Sequence, residues 1–275
     1  MKVGYLGPSG SFTHNVAVKA FPEANRIPFA NITEVIKSYK EGFVDYAIIP
    51  VENSIEGSVH ETLDYLFHQA EIEAIAEIIQ PIKQQLLATT QTKKIEKIFY
   101  TPASYCSREK TTLKHIIQQQ KLEMTASTAY AARFIAEHPE ENFAAIAPVA
   151  AAKEYGLEII AQDIQEMDEN YTRFWVLGHQ KRSFDWAKLN QKVSLALTLP
   201  DNLPGALYKA LSVFAWRGID LTKIESRPLK TALGEYFFIV DVENKNDTLV
   251  SFALEELNVL GIDYKILGRY DVYKL

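Results

Sequence analysis

The chain is poor in the residues that would make its chemistry easy to guess. Of its 275 residues only one, Cys106, is cysteine, so no intrachain disulfide can form. That lone thiol sits in an expected helix and reads as a small packed residue. The six histidines (His14, His60, His68, His115, His138 and His179) make no short ligand pair with Cys106. No His-Glu-x-x-His occurs either, so no metal is expected. A Gly-Lys-Ser/Thr phosphate loop, a dinucleotide fingerprint and a Gly-x-Ser-x-Gly elbow are all missing, which argues against nucleotide chemistry and an α/β-hydrolase. The longest apolar run, Phe143 to Ala152, falls well short of the roughly 20 residues that span a bilayer. Gly4 and Gly7-Pro8 interrupt the start before a signal-peptide core can form, so a soluble cytoplasmic protein is expected. Positive charge is also in deficit: 29 Lys and Arg against 35 Asp and Glu leave a net −6. That balance argues against a nucleic-acid binder, yet a few local donors still suffice for an anion pocket.

What is present is ordinary globular composition, 47% hydrophobic and 23% charged, at a length that suggests two domains. Lys2 to Leu6 reads as a buried strand stopped by Gly7-Pro8-Ser9-Gly10, with a helix after it that turns Phe12, Val16 and Phe21 inward. Tyr46 to Val51 is a second apolar strand, bounded by Glu52-Asn53-Ser54. Ser58 and Glu61 have the spacing of a capping box ahead of a helix with the stripe Val59, Leu63, Leu66 and Phe67. Strands are expected at Leu86 to Thr89, Ile98 to Tyr100, Ala144 to Ala147, Ile159 to Ala161 and Arg173 to Leu177. Helices are expected at Ser104 to Gln119 and Ser127 to Ala136. Strands alternating with helices predict an α/β domain with a largely parallel sheet, whose ligands sit at the carboxyl ends of strands. A polar stretch from His179 to Gln191 reads as a linker. Beyond it the expected order is strand Val193 to Leu199, helix Leu203 to Arg217, strands Leu221 to Ser226 and Glu235 to Val242, helix Thr248 to Leu260 and strand Asp263 to Tyr270. That is a β-α-β-β-α-β unit, small enough that one sheet face needs a cover.

Five stretches offer chemistry. Gly7 to Thr13 puts small and hydroxyl residues at a helix start, where free amides suit an anion; a Ser-capped turn is the plainer reading. Glu52-Asn53-Ser54-Ile55-Glu56-Gly57-Ser58 is denser in polar groups than a loop requires. Asn53 and Ser54 can donate to an oxyanion, Glu52 can move a proton or orient a neighbour, and Gly57 permits close backbone approach. Ser127-Thr128 begins a helix, and a capping role accounts for it equally well. Asn170-Tyr171-Thr172-Arg173-Phe174-Trp175 sets a hydroxyl, a cation and aromatic rings on successive strand positions, with Thr172 and Phe174 on one face and Arg173 on the other. Last, Glu225 and Arg227 near the helix start at Gly205 have the charges to hold an amino-acid zwitterion, or simply each other.

In their order and joint presence, Gly7-Pro8-Ser9-Gly10-Ser11-Phe12, Pro50-Val51-Glu52-Asn53-Ser54, Gly57-Ser58-Val59, Ser127-Thr128-Ala129 and above all Thr172-Arg173-Phe174 resemble the prephenate dehydratase family. Gly205-Ala206-Leu207 and Glu225-Ser226-Arg227-Pro228 are similar to that family's ACT regulatory domain. The resemblance covers nearly the whole chain. It implies an α/β fold: a two-lobed, periplasmic-binding-protein-like catalytic domain over 1–180, a linker over 181–191 and a ferredoxin-like ACT domain over 192–275. It implies conversion of prephenate to phenylpyruvate with loss of carbon dioxide and water, without a cofactor. It further implies inhibition by L-phenylalanine at an interface between ACT domains of a homodimer or homotetramer.

By the same resemblance Thr172 is the proton donor, Arg173 a carboxylate anchor or site organiser, and Phe174 an apolar wall. Ser11, Glu52, Asn53, Ser54, Gly57, Ser58, Thr101, Ser127 and Thr128 become substrate contacts. Gly205, Ala206, Leu207, Glu225, Ser226, Arg227 and Pro228 become effector contacts. One departure stands out: the family's His-Pro-Gln is Thr101-Pro102-Ala103 here, and Ala103 cannot replace an amide. Arogenate dehydratase, and a non-catalytic two-lobed sensor with an ACT tail, are the competing readings.

Overall fold

The computed structural model describes residues 1–92, 94–104, 120–165, 167–199, 204–231 and 235–275. The chain divides into two compact units: Met1–Thr62 with Ile79–Phe174, and Leu63–Ile78 with Trp175–Leu275.

The first unit is built on two sheets. In one, β1 (Lys2–Leu6) pairs in parallel with β2 (Asn25–Phe29) and with β3 (Tyr46–Asn53). α1 (Phe12–Ala20) and α2 (Ile32–Lys40) make the crossovers, as parallel neighbours require. Val3, Tyr5, Val16, Phe21, Val35, Ile36, Ile48 and Ile49 form the buried layer between strands and helices. β2 contains Pro28, which its place at the sheet edge tolerates. The two-residue β4 (Gly57–Ser58) folds back on the end of β3, with Glu52 opposite Ser58. On the other side of β3 lies β11 (Tyr171–Gly178) and then β5 (Ala74–Pro81).

The second sheet of this unit runs β10-β6-β9-β7-β8, from β6 (Gln85–Ala88), β7 (Lys97–Tyr100), β8 (Lys121–Met124), β9 (Phe143–Ala147) and β10 (Glu158–Ala161). α4 (Thr128–Glu137) and α5 (Val149–Tyr155) pack on it through Ala131, Ala132, Ile135, Ala151 and Ala152.

Two local expectations change. The sheet is mixed rather than largely parallel, because β6 is antiparallel to both β9 and β10. β7 is parallel to both β8 and β9, so the antiparallel pairs are confined to β6 and its two neighbours. The capping box does not form. Ser58 belongs to β4, α3 (His60–His68) starts two residues later, and Glu61 Oε1 accepts from Thr33 N and Oγ1 instead. The helix expected from Ser104 to Gln119, with Cys106, lies outside the described residues beyond Ser104.

In the second unit, β12 (Ala187–Thr198), α6 (Ala206–Ala215), β13 (Leu221–Pro228), β14 (Tyr236–Glu243), α7 (Asp247–Val259) and β15 (Asp263–Lys274) follow in the β-α-β-β-α-β order. The strands lie in the antiparallel order β13-β14-β12-β15. β12 starts at Ala187, so residues 187–191 of the expected linker are strand, held against β15 from Lys274 to Asp271. One face packs Val193, Leu195 and Leu197 against Val213, Phe214, Leu254 and Leu257 of the two helices. Each such side chain contributes about 1.5–3 kcal/mol by leaving water.

The opposite face meets residues 63–78 and Trp175. Phe67 stacks on Phe237 with centroids 3.8 Å apart. Gly268 lies so close to β5 that a Cβ there would sit 2.7 Å from the Ala74 carbonyl oxygen. A buried polar chain runs beneath. Asp241 accepts from Ser194 Oγ (2.5 Å), Ser194 bonds Tyr270 Oη (2.5 Å), and Trp175 Nε1 donates to Tyr270 Oη (3.0 Å) and Glu77 Oε2 (3.1 Å). Lys192 Nζ meets Glu77 at 3.4 Å, with Glu77 fully buried. The cover that a small β-α-β-β-α-β unit needs thus comes from a distant part of the same chain.

Candidate active site

β3 and β11 lie side by side in the first unit and bring the two densest motifs together. Ser54 N donates to Tyr171 O (2.9 Å), and Ser54 Oγ accepts from Tyr171 N (3.0 Å). With the strand ends tied, Asn53 Nδ2 reaches Asn170 Oδ1 (2.7 Å), Thr172 Oγ1 (2.9 Å) and Tyr171 O (3.2 Å). Its two hydrogens are shared among three acceptors. Asn53 Oδ1 accepts from Ile55 N (2.9 Å) and Glu56 N (3.0 Å), which leaves the amide one orientation. Thr172 Oγ1 is therefore an acceptor from Asn53, and its own O–H has no acceptor among the described residues. The half-buried hydroxyl is held as a donor with its proton to spare.

Arg173 points to the other face of β11, as strand alternation dictates. Its Nη1 meets Glu52 Oε2 at 2.5 Å, both side chains being largely shielded. Glu52 and Arg173 thus form a charge-assisted pair beside the amide–hydroxyl contact. Phe174 is 1% exposed, which puts it in the core behind Thr172 rather than in a cleft wall. Gly57 takes φ +82° in the hairpin, a conformation that favours glycine.

The remaining predicted contacts lie at other carboxyl ends of parallel strands. Ser11 caps α1: its Oγ accepts from His14 N (3.1 Å) and donates to Leu6 O (3.2 Å). Ser127 caps α4 by accepting from Tyr130 N (3.1 Å), and Thr128 follows in its first turn. The capping readings of both serines hold. A cavity of about 610 Å³ opens between the Gly7-Pro8-Ser9 turn and the start of α4, with Ser127, Tyr130 and Arg133 on one side and Tyr155 of α5 at its end. Tyr155 Oη donates to Ser9 O (2.6 Å). Gly10, at φ +79°, lets α5 approach until a Cβ there would meet Ala151 Cα at 3.0 Å. Asn53 and Thr172 do not line this cavity, so the predicted residues form two groups.

Thr101 joins neither group. It is 8% exposed, and its hydroxyl and amide both bond Ser104 Oγ in a short turn, so it offers no free donor to a ligand.

Two polar residues beside these groups were named in the sequence but given no role. Asn170 is 5% exposed and anchors Asn53, while its carbonyl accepts from Ile82 N (2.8 Å). The signal for it was an Asn two residues ahead of a Thr-Arg pair. His14 accepts from Gly10 N at Nδ1 (2.9 Å) and stacks on Tyr5. Burial, aided by Arg26, pulls its basicity below the ordinary imidazole value despite Glu154 nearby. Burial likewise raises the Tyr5 and Tyr155 phenols, so both stay protonated donors.

In the second unit, Gly205 at φ +83° opens α6, with Ala206 and Leu207 in its first turn. Asp201, Asn202 and Leu203 lie outside the described residues. On β13, Arg227 Nε and Nη2 both reach Asp64 Oδ1 (3.2 and 3.1 Å) and Nη1 lies 3.9 Å from Glu225. Lys230 Nζ holds the other Asp64 oxygen at 2.7 Å. Burial alone would raise the Asp64 carboxyl, but hydrogen bonds from Lys230 and Arg227 outweigh it and hold the group below its usual range. Among the described residues there is no cluster of metal-ligating side chains, and no helix is long and apolar enough to cross a membrane.

Comparison with known proteins agrees with these motifs. Residues 3–182 match the family model described as prephenate dehydratase. A prephenate dehydratase of Lactococcus lactis is 50% identical, over 100% of this chain and 99% of the relative. Among solved structures, a prephenate dehydratase from Streptococcus mutans is 51% identical over 99% of both chains, with a TM-score of 0.67. A prephenate dehydratase from Arthrobacter aurescens, solved in complex with L-Phe, is 32% identical with a TM-score of 0.83, covering 98% of this chain and 90% of its own. A matching family model over more than half the chain, joined to full-length relatives at this identity, places the chain in the prephenate dehydratase family.

Proposed function

We propose that this chain performs its family's reaction, the decarboxylating dehydration of prephenate to phenylpyruvate, with Thr172 as the proton donor to the departing hydroxyl. Prephenate carries two carboxylates and a ring hydroxyl. Losing one carboxylate as carbon dioxide, together with the hydroxyl as water, makes the ring aromatic, so the substrate supplies much of the driving force. The protein must hold the dianion, deliver one proton to the leaving oxygen, and leave the departing carboxylate loosely held.

The observation that carries the assignment is the Asn53 Nδ2 to Thr172 Oγ1 hydrogen bond of 2.9 Å. It occupies a lone pair of the threonine oxygen and so directs the hydroxyl proton outward. It also lends positive character to an oxygen that gains charge as the proton leaves. Arg173, charge-paired with Glu52 on the opposite face of β11, acts as the organiser of the strand ends. Ser54 fixes the register that brings Asn53 to Thr172. The cavity at Ser9, Ser127 and Arg133, which Asn53 and Thr172 do not line, is a second place with donors for an anion.

The C-terminal β-α-β-β-α-β unit is proposed as an ACT regulatory domain that binds L-phenylalanine at Glu225 and Arg227 and near Gly205 to Leu207, in a cytoplasmic homodimer or homotetramer. Support comes from the motifs, the strand order and the L-Phe complex of the Arthrobacter relative.

Thr172→Ala tests the donor role. The expected result is a kcat lower by about 10²–10⁴-fold, the usual worth of a positioned acid, with substrate binding retained in equilibrium measurements. Near-normal turnover in that variant would reject the role.

A further inference from the structure

We infer that Asp64 is an internal carboxylate that an amino-acid effector must displace from Arg227, and that α3 carries the displacement to the active-site strand. The inference rests on the proposed effector role of Glu225 and Arg227 and deepens it by naming the group that answers to the effector.

Arg227 is not waiting for a ligand. Two of its nitrogens already reach Asp64 Oδ1, and the side chains of Arg227 and Asp64 are 14% and 16% exposed. An α-carboxylate approaching Arg227 meets an occupied guanidinium. Stripping a shielded carboxylate of its only counter-charge would be prohibitive. Here it keeps a second one: Lys230, 58% exposed and at 2.7 Å, can stay with Asp64 as Arg227 is handed over. Glu225, 3.9 Å from Arg227 and paired with Lys223 at 3.4 Å, is the carboxylate on this strand that can turn to the ammonium end of the same ligand. The arrangement therefore exchanges one carboxylate for another and leaves no charge stranded.

Asp64 sits in the middle of α3, whose two ends are tied differently. Toward its start, Thr62 Oγ1 donates to Pro50 O (2.6 Å) on β3, Glu61 bonds Thr33, and Val59 N donates to Val51 O (2.8 Å) next to Glu52 and Asn53. Toward its end, Phe67 stacks on Phe237 and Lys265 Nζ caps the carbonyls of Phe67 (3.0 Å) and Ala70 (2.7 Å). α3 is one helix from His60 to His68, so in this inference a change at Asp64 passes along it to the residues bonded to the strand that carries Glu52 and Asn53.

The test uses full-length protein and L-phenylalanine, with calorimetric binding and turnover measured separately. Asp64→Asn keeps the shape but removes the competing charge. It should bind L-phenylalanine about tenfold more tightly, yet lose most of the inhibition. The lost coupling lies within the 5–150-fold range common for linked sites. Lys230→Ala alters an exposed side chain and should weaken binding, because the displaced Asp64 would then be left alone. Unchanged or weaker binding in Asp64→Asn would overturn the competition, and tighter binding with full inhibition would overturn the transmission. Arg227→Ala separates the two readings: if it binds L-phenylalanine normally, the effector site itself is misplaced.

Discussion

Thr172 and Arg227 both lie on strands, both belong to motifs that the sequence made conspicuous, and both meet a side chain from a distant segment. Their states are opposite. Asn53 occupies the acceptor side of Thr172 and leaves its proton free to give. Asp64 and Lys230 saturate the site around Arg227, so that nothing is free until something leaves. In the proposed role Thr172 is a reacting group, and such a group works best prepared in advance, since any reorganisation at the moment of reaction adds to the barrier. A regulatory group is useful for the contrary reason: its existing partner is the signal that ligand binding changes. Polar groups elsewhere in the second unit are also paired, with Asp241, Ser194, Tyr270, Trp175, Glu77 and Lys192 bonded in sequence through its interior.

The strongest way to break this comparison is at Glu77. Its carboxylate is fully buried, accepts from Trp175 and pairs with Lys192. Glu77→Ala leaves the shielded Lys192 ammonium without its carboxylate and the Trp175 indole N–H with Tyr270 Oη alone. A loss of about 3–5 kcal/mol is expected, as for one half of a buried pair, read from denaturant unfolding. A loss below about 1 kcal/mol would mean that water or a neighbour satisfies these groups, and the second unit would not be saturated as described.

Glu77 also shows where the sequence misleads. Ala-Ile-Ala-Glu-Ile-Ile-Gln-Pro was not among the expected strands, yet it forms β5, which buries both its Glu and its Gln. β2 was hidden by Pro28, which only an edge position excuses. The first part of β12 was read as linker because the stretch up to Gln191 is polar and charged, and Ala187 to Leu189 are indeed exposed although they are strand. The Ser58/Glu61 spacing matched a capping box, but a long-range bond to Thr33 won the glutamate.

Local motifs did better. The Asn53-Ser54 and Thr172-Arg173 stretches announced themselves by polar density at strand ends, and they do meet. The β-α-β-β-α-β order was legible from alternation alone. The cover on its second face was not, because residues 63–78 carry no sign of their destination. That packing also changes the obvious experiment: removing everything after Gln191 would strip Phe67, Glu77 and Trp175 of their partners, so substitutions are cleaner than truncation.

A sharper probe of the first unit separates the two ends of the Asn53 amide. Asn53→Asp keeps an oxygen for the Ile55 and Glu56 amides but cannot donate to Thr172. Asn53→Ala loses both. If the preset donor is what matters, the two variants should fall together in kcat by about 10²-fold, the lower end of what an oxyanion donor contributes. If Asn53→Asp keeps near-normal turnover, the amide only shapes the turn, and Thr172 is not held ready in the sense argued here.

The smallest expected effect compares a histidine from each unit. In the first, His14 is held below its ordinary value of 6.5, chiefly by burial and then by Arg26, against Glu154. In the second, His68 is lowered by burial first and then by Lys230, with Asp64 opposing. A group whose folded pKa is depressed must lose its proton to fold, so its contribution is complete above 6.5 and disappears as pH falls through the lower folded value. Protonation would also break the bond from Gly10 N to His14 Nδ1. Stability should therefore decline from about pH 7 toward pH 5, and His14→Gln should flatten that decline in unfolding free energies measured across the range. His68→Gln should flatten it too, and more so with L-phenylalanine present if the effector shifts Lys230 fully onto Asp64. Equal slopes for His68→Gln with and without the effector would place His68 outside the charge exchange and confine that exchange to Asp64, Lys230 and Arg227.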